Sequence, residues 1–89
     1  MNDKVIENLE KLKEVYIAKN TDYGNSFTLS IIEFGAMAGL VRIFDKYNRA
    51  KNLLQNHEAK VKDETVIDTL LDMGLYCIML AAELNKDEK

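Results

Sequence analysis

Two acidic side chains stand four residues apart in the last third of the sequence. Asp68 and Asp72 belong to residues 63–85, a segment that carries five acids and no Lys or Arg. On a helix this spacing places both carboxylates on one face, where like charges cost about 0.2–0.5 kcal/mol even when exposed. A divalent cation or a basic partner would relieve the repulsion, and carboxylates without Cys or His favour Mg²⁺ or Mn²⁺ over zinc. The alternative is a solvated acidic strip.

A second charged group lies in the middle of the chain. Its members recur at steps of three, four and seven residues and are Arg42, Asp45, Lys46 and Arg49. On a helix they share one face, where arginine guanidinium groups could grip the oxygens of a triphosphate bidentately. The alternative is an exposed ion-pair strip of small energetic value. Glu33 falls on the apolar stripe of the same predicted helix, which makes it a candidate for a buried functional acid or for a residue at the boundary of the stripe.

Turn-forming residues are concentrated at positions 20–26, Asn-Thr-Asp-Tyr-Gly-Asn-Ser. This composition predicts a loop in which Gly24 takes a positive backbone dihedral angle. We expect four residues in and beside this loop to border the same cavity as the acids: Lys19, Asp22, Tyr23 and Asn25. A plain helix–helix turn is the alternative.

Helices must position these groups, because the chain has no Pro, only 4 Gly, and abundant Leu, Ala, Glu and Lys. Apolar periodicity and capping residues predict helices over about 3–19, from Ser26 or Thr28 to about Asn56, and from Asp63 to about Asn85. The expected fold is all-α, an antiparallel bundle of about three helices per chain within one domain, 1–89. The pair Gly35 and Gly39 predicts close helix packing, with a functional hinge as the alternative.

Length and composition limit the class of protein. A chain of 89 residues that has neither a disulfide nor a structural zinc site tends to complete its hydrophobic core in an oligomer. We therefore expect a homodimer or homotetramer. His57 and Cys77 are the only His and Cys, which excludes a Cys/His zinc site within one chain, and Cys77 is expected to be a core thiol.

Charge and hydropathy narrow the class further. A net charge of −3 argues against generic binding of duplex DNA. The longest uncharged apolar run, residues 73–82, is half a membrane span, and the first residues do not show a charged n-region followed by an apolar h-region. We therefore expect a cytoplasmic protein that does not enter membranes.

Four stretches of the chain together resemble a known family. They are Lys19-Asn20-Thr21-Asp22-Tyr23-Gly24-Asn25-Ser26-Phe27, Arg42-Ile43-Phe44-Asp45-Lys46-Tyr47-Asn48-Arg49, Lys62-Asp63-Glu64 and Asp68-Thr69-Leu70-Leu71-Asp72. They look like the small phage and bacterial proteins called nucleotide modification associated domain 1, over residues 15–84. That family is itself similar to the all-α nucleoside triphosphate pyrophosphohydrolases of the MazG and dimeric dUTPase type. The helices of those enzymes carry Glu-x-x-Glu and, further along, Glu-x-x-Asp for Mg²⁺.

The chain departs from the acidic pattern of those enzymes. Asp45-x-x-Asn48 and Thr69-x-x-Asp72 have the same spacing as those two motifs but contain only two of the four carboxylates. Asp68, one residue before Thr69, could supply a third. The resemblance therefore supports nucleotide and metal binding better than hydrolysis.

The resemblance and the spacing together imply two sets of ligands. Mg²⁺ or Mn²⁺ would be held by Glu33, Asp45, Asp68 and Asp72. A nucleoside triphosphate would be held by Lys19, Asp22, Tyr23, Asn25, Arg42, Lys46 and Arg49. In the enzymatic interpretation the metal activates a water for attack between the α and β phosphorus atoms. The alternative function is a non-catalytic helical interaction module.

Overall fold

The structure, a computed structural model, describes residues 3–56 and 64–86, apart from the side chains of residues 20–24 and 64–65. These residues form three helices, α1 (Lys4–Phe34), α2 (Met37–Gln55) and α3 (Glu64–Leu84), and no strand. The all-α prediction is confirmed. No helix among the described residues combines the length and apolar character needed to cross a membrane.

The first helix is longer than the sequence predicted. Its N-terminus is capped by Asp3, whose carboxylate accepts the backbone N–H groups of Val5 at 2.9 Å and Ile6 at 3.2 Å. From there α1 runs through residues 20–26, so the predicted loop is wrong. Turn-forming residues lower helix propensity by at most about 1 kcal/mol each, which packing on either side can override.

The apolar residues of α1 show why the helix continues through those positions. Leu12 and Val15 precede the turn-forming stretch, and Phe27 and Ile31 follow it. All four pack in the same core, which contains the buried Phe27. One uninterrupted helix keeps these positions on one side, whereas a loop would have to restore that alignment at extra entropic cost.

The chain breaks instead at Gly35, which separates α1 from α2. Gly35 has φ 85° and ψ 176°, and its N–H donates to the carbonyl of Ile31 at 2.7 Å. Only glycine adopts this region without strain, so the turn depends on that residue. The predicted continuous helix from residue 26 or 28 to 56 is therefore wrong, because its first part belongs to α1.

The two later helices, α2 and α3, pack side by side and antiparallel. Gly39 near the start of α2 lies against Leu80 near the end of α3. A Cβ at position 39 would come within 2.8 Å of Leu80 Cδ1. At the other end of the pair, Arg49 contacts Thr69. Close helix packing is thus confirmed for Gly39, whereas Gly35 serves the turn.

The buried core of the described residues is small for a chain of this length. Its members are Phe27, Ala50, Val66, Leu75, Met79 and Leu80. The radius of gyration is 14.5 Å, compared with about 12 Å for a compact domain of 89 residues. The protomer is therefore elongated, and much apolar surface stays exposed. Cys77 is exposed as well, so its predicted place in the core is wrong.

Two glycine variants test the break between α1 and α2. Gly35→Ala should lower the free energy of unfolding by about 1–3 kcal/mol, because alanine is strained at that backbone conformation. Gly74→Ala, inside α3, is the matched control. Its Cβ would meet Leu12 Cδ1 at an ordinary 3.8 Å, so the variant should gain about 0.5–1 kcal/mol from helix propensity. Urea unfolding followed by circular dichroism measures both, and equal effects of the two variants would contradict the assigned turn.

Candidate functional site

The charged residues of α2 and α3 meet on one side of the helix pair. We call this surface the charged face, and it consists of Arg42, Asp45, Lys46, Arg49, Asp68 and Asp72. The four α2 residues and Tyr76 line a cavity of about 380 Å³. A cavity of about 400 Å³, which shares Lys46 and Arg49, is also lined by Asp68, Thr69 and Asp72. The structure therefore brings together the two charged groups that the sequence indicated separately.

Two contacts join the helices across this face. The ammonium nitrogen of Lys46 lies 3.6 Å from a carboxylate oxygen of Asp72. One turn further along, Arg49 Nε donates to the hydroxyl oxygen of the buried Thr69 at 3.2 Å. The side chains of the Lys46–Asp72 pair are 31% and 40% exposed, and such pairs contribute at most about 1 kcal/mol. A ligand can therefore replace this ion pair at low cost.

Asp68, the other acid of the pair on α3, has a basic partner on α1. The ammonium nitrogen of Lys11 lies 3.9 Å from its carboxylate. Basic partners on neighbouring helices thus relieve the repulsion between Asp68 and Asp72. Within residues 3–56 and 64–86, no three His, Cys, Asp or Glu side chains are grouped as ligands for a metal ion.

Glu33 lies apart from the other predicted metal ligands. The break at Gly35 puts it in the last turn of α1, exposed, and it lines none of the cavities described here. Its predicted position on the helix that carries Asp45 is therefore wrong. The error follows from the misplaced helix boundary.

An aromatic wall lies beside Arg42. Phe27 of α1, only 1% exposed, stacks on Tyr76 with ring centroids 5.7 Å apart. The guanidinium carbon of Arg42 lies 5.9 Å from the centroid of the Phe27 ring. This cation–π contact holds Arg42 against a rigid support at the edge of the cavity. Sequence analysis did not identify Phe27 and Tyr76 as site residues, because an aromatic residue at helical spacing is more typical of a core position.

A third cavity, of about 560 Å³, lies between α1 and α3. Its floor is mostly apolar, and at its polar end the hydroxyl of Thr28 donates to Glu83 at 2.5 Å. Lys86 lies 2.9 Å from another oxygen of Glu83. Asn25 lines this cavity and neither cavity of the charged face. Its predicted place beside the acids is wrong, since the continuous α1 carries it toward the end of α3.

Of the remaining predicted ligands on α1, one has a described side chain. Lys19 is exposed and lines none of the three cavities. Asp22 and Tyr23 lie within α1, but their side chains are outside the described residues.

The pH dependence of stability tests the contacts of Glu83. The hydrogen bond from Thr28, and then the one from Lys86, lower the pKa of Glu83 from its usual 4.5. A carboxyl with a lowered pKa stabilises the folded state fully above its unfolded pKa, and this contribution disappears as pH falls through the folded value. Glu83→Gln should therefore reduce the free energy of unfolding at neutral pH, with the deficit shrinking below pH 4.5.

The matched control is Glu14→Gln, an exposed acid on α1, which should show no such pH-dependent deficit. Urea unfolding measured from about pH 7 to about pH 3 gives the comparison. A deficit of Glu83→Gln that stayed constant over this range would contradict the assignment.

Comparison with known proteins identifies the family of the chain. Residues 19–84, which contain all of α2 and α3, match the family described as nucleotide modification associated domain 1. No curated protein and no solved structure matches the chain. The description of the family associates the domain with nucleotide modification. Since the match covers most of the chain, including the whole charged face, the chain belongs to the nucleotide modification associated domain 1 family.

Proposed function

We propose that this protein binds a nucleoside triphosphate together with Mg²⁺ at the charged face, in nucleotide metabolism or nucleotide modification. The observation that carries the proposal is the convergence of three cations and three carboxylates on two adjoining cavities. Volumes of about 380 and 400 Å³ fall in the range of small-ligand sites. The association of the family with nucleotide modification points to the same class of ligand.

The three cations of α2 suit the phosphate chain. Arg42, Lys46 and Arg49 extend along about 10 Å of helix axis. The hydrogen bond to Thr69 occupies Nε of Arg49, and an arginine carries five N–H donors in a planar fork that matches two phosphate oxygens. Arg42 is oriented by Phe27. The phosphates are therefore expected along α2, with Tyr76 at one end of the cavity.

The carboxylates of the charged face suit Mg²⁺ or Mn²⁺. Magnesium in nucleotide sites is usually held by one or two carboxylates, with phosphate oxygens and water completing its coordination. Asp45, Asp68 and Asp72 provide carboxylates of this kind. Among the described residues no three such side chains are grouped around one point, so phosphate oxygens and water would have to complete the coordination. Glu33 does not fit this set, because it lies on α1. Bound there, the ion would neutralise phosphate charge and lower the pKa of a coordinated water.

Lys46 connects the two halves of the proposed site. In the structure it forms an ion pair with Asp72. With a nucleotide and its metal ion bound, Asp72 would hold the cation and Lys46 would contact a phosphate oxygen. This exchange would leave both Lys46 and Asp72 with a partner of opposite charge before and after binding, which avoids the cost of an isolated charge.

Hydrolysis is the weaker part of the proposal. A MazG-like pyrophosphohydrolase, acting as a homo-oligomeric helical bundle, is the enzyme that the chain resembles. Asp45 and Asp72 are only two of the four carboxylates in the pattern of those enzymes. Binding requires fewer groups than hydrolysis does, and pyrophosphate release is therefore tested separately.

A second candidate function is a non-catalytic helical interaction module. The observation that favours it is that Lys11 and Lys46 already neutralise Asp68 and Asp72. The acids then need no metal ion, and the charged face would only align the helices. Ligand binding discriminates between the two candidates.

Calorimetry with the common ribo- and deoxyribonucleoside triphosphates, with and without Mg²⁺, tests the proposal. We expect at least one of them to bind in the presence of Mg²⁺. Asp72→Asn and Arg42→Gln should each weaken binding about tenfold to a hundredfold, since each removes a charged contact worth about 1.5–3 kcal/mol. Melting of the ligand-free variants should change little, because both residues lie at the open face of the helix pair.

Matched controls separate a lost ligand contact from a lost charge. Glu14→Gln and Lys4→Gln change exposed residues of the same charge type on α1, and both should bind like the parent. Absence of binding by every triphosphate, or equal binding by Asp72→Asn and the parent, would reject the proposal and favour the interaction module. Release of pyrophosphate from the bound nucleotide would assign the hydrolase activity.

A further inference from the structure

The charged face runs along α2 and α3, and its two ends differ in chemistry. Because the helices are antiparallel, residues of α2 and α3 follow one another across the face in a fixed order. From one end to the other, the neighbours are Arg42 with Tyr76, Lys46 with Asp72, and Arg49 with Thr69. Successive positions on each helix are three or four residues apart, which is about 4.5–6 Å along the axis. A linear molecule bound along this face must therefore lie in one of two directions.

One end carries the only aromatic side chain that the described residues contribute to the two cavities of the charged face. That side chain is Tyr76, and every other lining residue except Thr69 is charged. The ring of Phe27 stacks on Tyr76 but lines the cavity between α1 and α3 instead. The buried Phe27 therefore holds Tyr76 at the border of the charged face. A ring held in this way loses little conformational freedom when another planar group packs against it.

A nucleobase is the part of a nucleotide that suits this aromatic end. It is planar and uncharged, and every base has a π face that can pack on an aromatic ring. At the opposite end a base would displace water from Arg49 and Asp68 without replacing their polar contacts, which is unfavourable. The chemistry of the two ends therefore favours one direction.

The opposite end suits the terminal phosphate and its metal ion. The cavity there includes Arg49, Asp68 and Asp72 but neither Arg42 nor Tyr76. In nucleoside triphosphate sites Mg²⁺ bridges oxygens of the second and third phosphates, so carboxylates are needed near that end of the ligand. Both acids of α3 lie there, and the guanidinium group of Arg49 matches phosphate oxygens in geometry and charge.

We infer that a nucleoside triphosphate lies on the charged face in one direction, with its base against Tyr76 and its terminal phosphate at Arg49. This inference rests on the proposed nucleotide binding and adds the direction of the ligand. Tyr76 becomes the residue that distinguishes a nucleotide from an inorganic polyphosphate. Arg49 becomes the residue that distinguishes a triphosphate from a diphosphate.

Calorimetry with two probes tests the place of the base. The probes are inorganic tripolyphosphate and the nucleoside triphosphate that binds the parent chain most tightly, each with Mg²⁺. In Tyr76→Leu the affinity for the nucleotide should fall about tenfold relative to the affinity for tripolyphosphate, because only the nucleotide loses an aromatic contact. Tyr76→Phe keeps the ring and should bind like the parent. The matched control is Tyr47→Leu, which removes a half-exposed ring of α2 outside the three cavities and should leave both affinities unchanged.

The triphosphate and the diphosphate of the same nucleoside test the place of the terminal phosphate. Arg49→Gln should reduce the preference of the protein for the triphosphate about tenfold, because charged hydrogen bonds to the third phosphate are lost. Tyr76→Leu should keep that preference. Lys51→Gln is the matched control, since Lys51 is an exposed cation of α2 outside the three cavities. It should keep the preference as well.

The two variants distinguish the inferred direction from the opposite one. In the opposite direction Arg49→Gln would change the ratio of nucleotide to tripolyphosphate affinity, and Tyr76→Leu would change the preference for the triphosphate. Either result would overturn the inference. Unchanged ratios in both variants would overturn it too, while nucleotide binding by the parent would still stand.

Two further outcomes are also decisive. If no nucleoside triphosphate binds the parent chain, the proposed function and the inferred direction fail together. Thermal melting followed by circular dichroism shows whether Tyr76→Leu folds. If it does not fold, Arg49→Gln decides alone, because that substitution changes an exposed side chain. A preference for the triphosphate that Arg49→Gln leaves intact would then reject the inferred direction.

Discussion

The close approach of α2 to α3 at Gly39 is the constraint on which the other features depend. Leu80 occupies the space that a side chain at position 39 would fill, so the two helix backbones lie close together. This contact and the bond from Arg49 to Thr69 at the other end define one antiparallel register. The register alone decides that cations of α2 face acids of α3. It also leaves apolar residues of α2 on the side away from those charges, such as Leu40 and Phe44, exposed. A shift by one residue would rotate these cations and acids apart.

The sequence predicted α3 and the shared faces of the charged groups because periodicity is a local property, whereas it placed the start of α2 wrongly. Arg42 and Arg49, or Asp68 and Asp72, share a face on any helix, whatever its surroundings. The misplaced residues are those whose positions depend on the long-range path of the chain. Asn25 and Glu33 were assigned to the wrong neighbours because the break between helices lies at Gly35, not at residues 20–26. A glycine in an apolar segment gives little local signal of a positive φ, since the fold imposes that conformation.

The helix α1 contributes mainly through Phe27. That ring is buried in the core, stacks on Tyr76 and supports Arg42, so it links the packing of α1 to the geometry of the charged face. Arg42 follows Phe27 by fifteen residues and belongs to another helix. No periodic pattern could therefore relate them. Sequence analysis can find the charges of such a site, but the aromatic support appears only when the three helices are assembled.

The contacts of the three helices differ in how easily they can change. Ion pairs such as Lys46–Asp72, partly exposed to water, contribute at most about 1 kcal/mol and can exchange partners without disturbing the helices. Burying an aromatic side chain such as Phe27 contributes about 1.5–3 kcal/mol, and exposing it again would disturb the packing of all three helices. The core contacts are therefore permanent, whereas the contacts of the charged face are suited to reversible exchange. One helix, α2, takes part in both, because Ile43 packs against the core while Lys46 lies at the charged face.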